Sequence, residues 1–252
     1  MQARLDQGLD TKYSLMVRWE EKEGIDTMER MLVISDIHGE LVKFERLLEM
    51  ACYDANRDQL LLLGDYIDRG PHSREVIAKV RELQQVGAIV LMGNHEKMML
   101  DAYRNKEKAV ERWFRNGAKQ TLLSYGYAED EATGRPAAIR WTGELLDVIS
   151  FVDKLPYYYE TDEYIFVHAG VEPGMPLAAC DPHKLLWIRG EFHKGYSGPK
   201  TVIFGHSPAK LLHGSDEVYF GANSIIGIDG GCVYGGRLNC LELPSRHIYY
   251  VE

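Results

Sequence analysis

Positive charge is in short supply in this 252-residue chain. Its 29 lysines and arginines face 38 aspartates and glutamates, giving a formal net charge of -9. No broad basic surface is available to a phosphate backbone, which argues against a non-specific nucleic-acid binder. Long hydrophobic runs are missing too: no stretch reaches transmembrane length, and the N-terminus does not read as a signal peptide. Cysteine is sparse. Cys52, Cys180, Cys232 and Cys240 show no paired C-x-x-C spacing, so neither a zinc knuckle nor a disulfide scaffold is expected. These absences point to a reducing cytoplasm and away from a membrane. No repeat and no low-complexity linker divides the chain.

What is present is a core and a pattern. Some 45% of the residues are hydrophobic, enough for one large domain. Residues 1–27 are polar and weakly patterned. They read as an N-terminal extension, dispensable to a catalytic domain over 28–252. "MLVIS" at 31–35 reads as a buried strand, and Leu41, Phe44, Leu47 and Leu48 give a helical stripe over 40–52. A second strand is expected near 59–63, a helix over 73–85 and a third strand near 88–92. This alternation predicts a parallel α/β sheet. Residues 96–155 read as mostly helical, with a loop at 129–138. Strands return from 157, and the last stretch, "RLNCLELPSRHIYYVE", suggests an antiparallel meander. The expected fold class is α/β, with a central mixed β-sandwich flanked by helices.

Polar residues gather at five strand ends: Asp36 and His38, Asp65 and Asp68, Asn94 and His95, His168, and His206. In α/β proteins chemistry collects outside the carboxyl ends of strands. Asp36 to Asp65 and Asp65 to Asn94 are each 29 residues, one strand–helix–strand crossover. These loops should therefore converge. Asp36, His38, Asp65, Asn94, His168 and His206 form a donor stock that suits two divalent ions, with Asp65 placed to bridge. His95 is left for general acid work near neutral pH, and Asp68 can accept its other N–H. Arg69 offers a planar fork for phosphate oxygens, and Arg189 in "LLWIRGEF" is a second candidate. Gly39, Gly64, Gly70 and Gly93 allow sharp turns after the strands.

Plainer readings compete at each position. A single histidine after a strand is usually structural, and His168 or His206 alone would carry little; together with three acid-bearing strand ends they favour a metal site. Arg189 could pair with Glu191. His183, His193, His213 and His247 read as surface or packing residues. "GGCVYGG" lacks the Lys-Ser/Thr ending of a nucleotide loop and reads as a tight turn. Cys232 has no organised base and is not expected to be a nucleophile. Met98, Met99, Trp113 and Phe114 read as core.

Taken together, "SDIHG", "GDYIDRG", "GNHE", "VHAG" and "FGHSP" resemble the sequence blocks of the calcineurin-like metallophosphoesterases over about residues 30–245. Within them the chain is most similar to the bacterial and phage serine/threonine phosphoprotein phosphatases. The symmetrical diadenosine tetraphosphate hydrolases are near neighbours. The resemblance implies a four-layer metallophosphoesterase fold and a dinuclear centre, with manganese expected and iron or zinc as alternatives. It implies Asp36, His38 and Asp65 on one ion, and Asp65, Asn94, His168 and His206 on the other. It implies His95 with Asp68 as the acid pair, and Arg69 and Arg189 on phosphate. It further implies direct in-line hydrolysis by hydroxide held at the ions, with no phosphoenzyme.

The resemblance narrows the substrate less sharply. Asp68 is in keeping with the phosphoprotein phosphatases, since the dinucleotide hydrolases commonly carry another residue there. The "GGCVYGGRL" tail is shared with bacterial proteins of both kinds. Residues 96–155 and the loop 171–200 are expected to wall the substrate, and Trp113, Trp141, Tyr158 and Trp187 are read as packing residues before adenine stackers. A phosphoprotein phosphatase is the first expectation, a symmetrical dinucleoside polyphosphate hydrolase the alternative. A metal-binding scaffold without turnover is disfavoured by the intact His95, Asp68 and Arg69. Oligomeric state is not legible.

Overall fold

A computed structural model describes residues 30–104, 107–132, 139–141 and 143–252. The proposed extension 1–27 and most of the expected 129–138 loop lie outside the described residues. Strand β1 (Arg30–Ile34), helix α1 (Leu41–Met50), β2 (Asp58–Leu62), α2 (Ser73–Gln85) and β3 (Ile89–Val90) form the expected parallel unit. β1 pairs in parallel with β2, and β2 with β3. Helices α3 (Asn94–Tyr103), α4 (Glu107–Arg115), α5 (Ala118–Ser124) and α6 (Glu144–Val152) fill the middle of the chain. Next come β4 (Tyr158–Glu160), β5 (Tyr164–Val167), α7 (Pro182–Trp187), α8 (Gly190–Gly195), β6 (Thr201–Phe204) and α9 (Ala209–His213). The chain ends with β7 (Tyr219–Gly221), β8 (Ile225–Gly227), β9 (Leu238–Leu243) and β10 (Ile248–Val251). The wall at 171–200, expected as a loop, contains α7 and α8. β3 is two residues long rather than five, because Met92 leaves the ladder and donates its N–H to Pro156 O at 2.8 Å.

Two five-stranded sheets result, ordered β10-β9-β1-β2-β3 and β4-β5-β6-β8-β7. The first is parallel from β1 to the β3 edge and antiparallel on the β9–β10 side; the second has a parallel centre, β5-β6-β8, with antiparallel edges. The period of two along each strand decides the layers. Val33 and Leu61 of one sheet meet Phe166, Ile203 and Ile226 of the other in a core between the sheets. Their neighbours Leu32, Ile34, Leu60, Leu62, Val167 and Phe204 point the opposite way, into the larger core beneath the helices. Both faces of the central strands are thus buried, which explains their unbroken apolar runs. The architecture is helix, sheet, sheet, helix: the β-sandwich flanked by helices. Met98, Met99 and Trp113 are core, as expected.

Candidate functional site

The parallel strands all run toward one end of the sandwich, and the loops that follow them are laced together there. His38 N donates to Asp65 O at 2.9 Å, and Gly39 N to Tyr66 O at 2.9 Å. The glycines at this seam have a steric purpose, Gly70 and Gly93 most tightly. A Cβ on Gly70 would stand 2.0 Å from His38 O, and one on Gly93 would stand 2.2 Å from Asp65 N. Asp36, His38, Asp65, Asp68, Arg69 and His206 all adopt positive φ, between 45° and 71°. Such backbone is costly for non-glycine residues and concentrates at functional sites.

Each residue singled out from the sequence is found at this end. Asp36, His38, Asp65, Arg69, Asn94, His95, Arg189 and His206 line one cavity of about 310 Å³. His168 and Asp68 are fully buried just behind it. Asp65 sits centrally: its Oδ2 is 3.5 Å from His38 Nε2 and 3.8 Å from His95 Nε2, and its Oδ1 is 3.4 Å from His168 Nε2. Two groups of donor atoms share it, His38–Asp65–His95 and Asp65–His168–His206. Asp36 stands outside both groups. Its Oδ2 accepts the Ser35 hydroxyl at 2.5 Å and the His206 N–H at 2.9 Å, which ties the two sheets together.

The protonation pattern fits cations at these groups. His38 Nδ1 can only donate to Ile67 O, and His168 Nδ1 only to Leu63 O, so each Nε2 presents a lone pair. The lone pair of His168 faces Asn94 Oδ1, another acceptor, at 2.8 Å. His206 Nε2 is buried with no partner. Burial, the largest cause, lowers the pKa values of His38, His95, His168 and His206, keeping the imidazoles neutral and ligand-ready. Burial and the neighbouring Asp36 charge push Asp65 well above the carboxylate range, a strain that a cation relieves.

His95 and Asp68 form the expected pair, with Nδ1 2.7 Å from Asp68 Oδ2. The Asp68 carboxylate also accepts the Trp113 indole N–H at 2.9 Å and the Thr121 hydroxyl at 2.5 Å. Burial pushes Asp68 up to about 7, against the pull of those two donors. Arg69 Nη1 donates to His38 Nε2 at 2.5 Å, and its guanidinium lies 5.2 Å from the Tyr234 ring centroid. Arg189 does not pair with Glu191, which bonds Lys184 instead; its Nη2 reaches His206 O at 3.1 Å.

Several contributors escaped the sequence reading. Glu96 accepts N–H groups of Asp65, Tyr66 and Gly93 at 2.9, 2.8 and 3.0 Å, clamping the second loop to α3. Its position three residues after Gly93, at the head of a helix, is the readable signal of a capping acid. Thr121, Trp113 and Asn116 come from the helical insert and carry no such signal. Asp229 follows β8 and lines the cavity. The "GGCVYGG" segment is a tight turn, but it also walls the cavity through Cys232, Val233 and Tyr234. Burial pushes the Cys232 thiol up to about 12, consistent with an inert role. Of the four aromatic residues considered for stacking, only Trp187 lines the cavity, and Arg112 covers its ring at 4.1 Å.

Comparison with known proteins agrees with this geometry. The model of the calcineurin-like phosphoesterase family matches residues 29–235. Serine/threonine-protein phosphatase 1 of Salmonella typhimurium is 28% identical over 220 residues, covering 84% of this chain and 90% of that protein. The asymmetrical bis(5'-nucleosyl)-tetraphosphatase PrpE of Bacillus thuringiensis is 28% identical over 240 residues, with the same coverage. It is asymmetrical, whereas the resemblance seen in the sequence was to symmetrical hydrolases. In fold, the chain is similar to a crystal structure of a protein assigned as a diadenosine tetraphosphatase. The TM-score is 0.65 at 24% identity, covering 90% of this chain and 94% of the other. With the family model spanning most of its length, the chain belongs to the calcineurin-like phosphoesterase family and is a metal-dependent phosphoesterase.

Proposed function

We propose that the chain hydrolyses phosphomonoesters of alcohols, as a serine/threonine protein phosphatase does. The observation that carries this reading is the His95–Asp68 pair, backed by Trp113 and Thr121. A serine or threonine alkoxide is a poor leaving group and needs a proton as it departs. A nucleotide leaving group is already a stabilised phosphate anion and needs one far less. Burial keeps the His95 ring neutral in the free protein; in this reading it takes up a second proton on Nε2, toward the cavity, when an anionic phosphate ester binds beside it, while Asp68 fixes the ring through Nδ1. Arg69 and Arg189, both on the cavity wall, take up charge on the transferring phosphoryl oxygens.

In this reading Asp36, His38 and Asp65 hold one divalent ion, and Asp65, Asn94, His168 and His206 hold a second. Manganese is the proposed metal. When bound, the pair supplies Lewis acidity at the phosphoryl group and activates the attacking water. The orphaned His206 Nε2 and the facing acceptors Asn94 and His168 support this assignment. The catalytic domain is proposed to begin at Met28, so deletion of residues 1–27 should leave turnover intact.

A second reading, dinucleoside polyphosphate hydrolysis, is favoured by the PrpE relatives and by the paired arginines of the cavity. The test is kcat/KM with manganese on a phosphoserine peptide against diadenosine tetraphosphate. Preferential peptide turnover is expected. Efficient dinucleotide cleavage with negligible peptide turnover would replace the first reading. Two ADP would then indicate symmetrical attack, and ATP with AMP asymmetrical attack.

A further inference from the structure

Six strands run parallel in the two sheets, and the sequence blocks account for the ends of five: β1, β2, β3, β5 and β6. The sixth, β8 (Ile225–Gly227), ends two residues before Asp229. Asp229 is 5% exposed and lines the same cavity as Asp36 and Asp65. The sheet order says where it stands. His168 after β5 meets Asn94 after β3, and His206 after β6 meets Asp36 after β1. β8 lies on the far side of β6 from β5. Asp229 therefore flanks the Asp36 end of the site, across the metal-ligand candidates from His95.

A turn cap is the simpler explanation, and part of Asp229 does serve as one: its Oδ1 accepts the Gly231 N–H at 2.8 Å. Capping does not require a buried charge beside another carboxylate. Three largely buried aspartates, Asp36, Asp65 and Asp229, converge on the cavity. Among the described residues, no lysine or arginine makes a contact ion pair with any of them; Arg69 and Arg189 line the same cavity but face them only at longer range. Three buried carboxyls with no contact cation are unfavourable. The unpartnered His206 Nε2, on a residue 7% exposed whose own N–H is held by Asp36, lines the same cavity and points to a cation within it.

We propose that Asp229 is an additional metal-site residue, a carboxylate that retains the divalent ion at the Asp36–His38–Asp65 end. Asp229, like Asp36, stands outside both groups of donor atoms, and its Oδ1 is already taken by the Gly231 N–H. It acts from the next layer, by charge and as a hydrogen-bond acceptor, and so positions the site rather than ligating it. This inference rests on the two-ion reading above. Residues of this kind typically contribute about 10- to 100-fold to metal affinity.

The test is calorimetric titration of metal-free protein with Mn²⁺, comparing the unaltered chain with Asp229→Asn and Asp229→Ala. Asparagine keeps an oxygen for Gly231 N–H and removes only the charge. Titration is run at a temperature where circular dichroism shows all three metal-free proteins folded. The unaltered chain should bind two ions. Asp229→Asn should bind one of them about 10- to 100-fold more weakly, with the metal-free melting temperature unchanged or raised. Unchanged affinity for both ions in Asp229→Asn overturns the inference and leaves a turn cap. A chain that itself takes up fewer than two ions overturns the two-ion reading, and this inference with it.

Discussion

His95 makes the most discriminating demand on the account at the scale of single residues. Its Nδ1 is committed to Asp68, so its Nε2 is the atom available to a departing oxygen. His95→Ala should retain Mn²⁺ and lose about 10²- to 10⁴-fold in kcat on an alkyl phosphate such as phosphoserine. An aryl phosphate should lose less, because its leaving group needs less protonation. Parallel losses on both substrates would mean that His95 does something other than donate the proton. Most of this chemistry was legible in the chain, since ligand-type residues sit right after apolar strands at equal spacing. The support for Asp68 was not. Trp113 and Thr121 lie 45 and 53 residues from it in sequence, and only the folding of the helical insert brings them in.

At the scale of elements, strand ends were easier to foresee than the ways they interlock. The β1, β2 and β3 crossovers announce themselves by apolar runs and helical stripes. β7 (Tyr219–Gly221) does not, because it is a three-residue edge strand with Phe220 exposed and no burial pattern to read. The meeting of β6 with β1 was equally invisible, yet it is tight. A Cβ on Gly205 would stand 2.0 Å from Ser35 Oγ and 2.1 Å from Asp36 Oδ2. Gly205 has no positive φ, so its penalty on substitution comes from this contact alone. Gly205→Ala should displace Asp36, weaken Mn²⁺ binding and cost about 1–3 kcal/mol of stability. Thermal melts with and without metal check this. Unaltered metal affinity would show that Asp36 tolerates the shift or is no ligand.

Across the whole molecule, the end of the first sheet remote from the cavity is held by Arg30. Its guanidinium bonds Asp58 at 2.8 and 3.0 Å, Glu242 at 2.9 Å and Ala51 O at 2.8 Å, joining β1 to β2 and β9. Burial works against the Asp58 charge, but Arg30 and the Asp54 N–H outweigh it and lower its pKa. The Ser245 hydroxyl, with Arg30 and Tyr249, lowers that of Glu242. Both folded values lie below the unfolded ones, so this stabilisation is full above the ordinary carboxylate range. It is lost as pH falls through the folded values. Arg30→Met should cost about 3 kcal/mol at pH 7, with the deficit shrinking below about pH 4. Denaturant midpoints across that range measure it, and a deficit constant with pH would contradict it. At the opposite end both sheets deliver their strand ends to Asp65. The most direct measurement is Mn²⁺-dependent phosphate release from a phosphoserine peptide by the unaltered chain and by Asp65→Ala, with ion uptake measured on both. The account predicts two ions and turnover in the first, and loss of both bound metal and turnover in the second. Turnover that persists in Asp65→Ala, or in the unaltered chain stripped of metal, would contradict it.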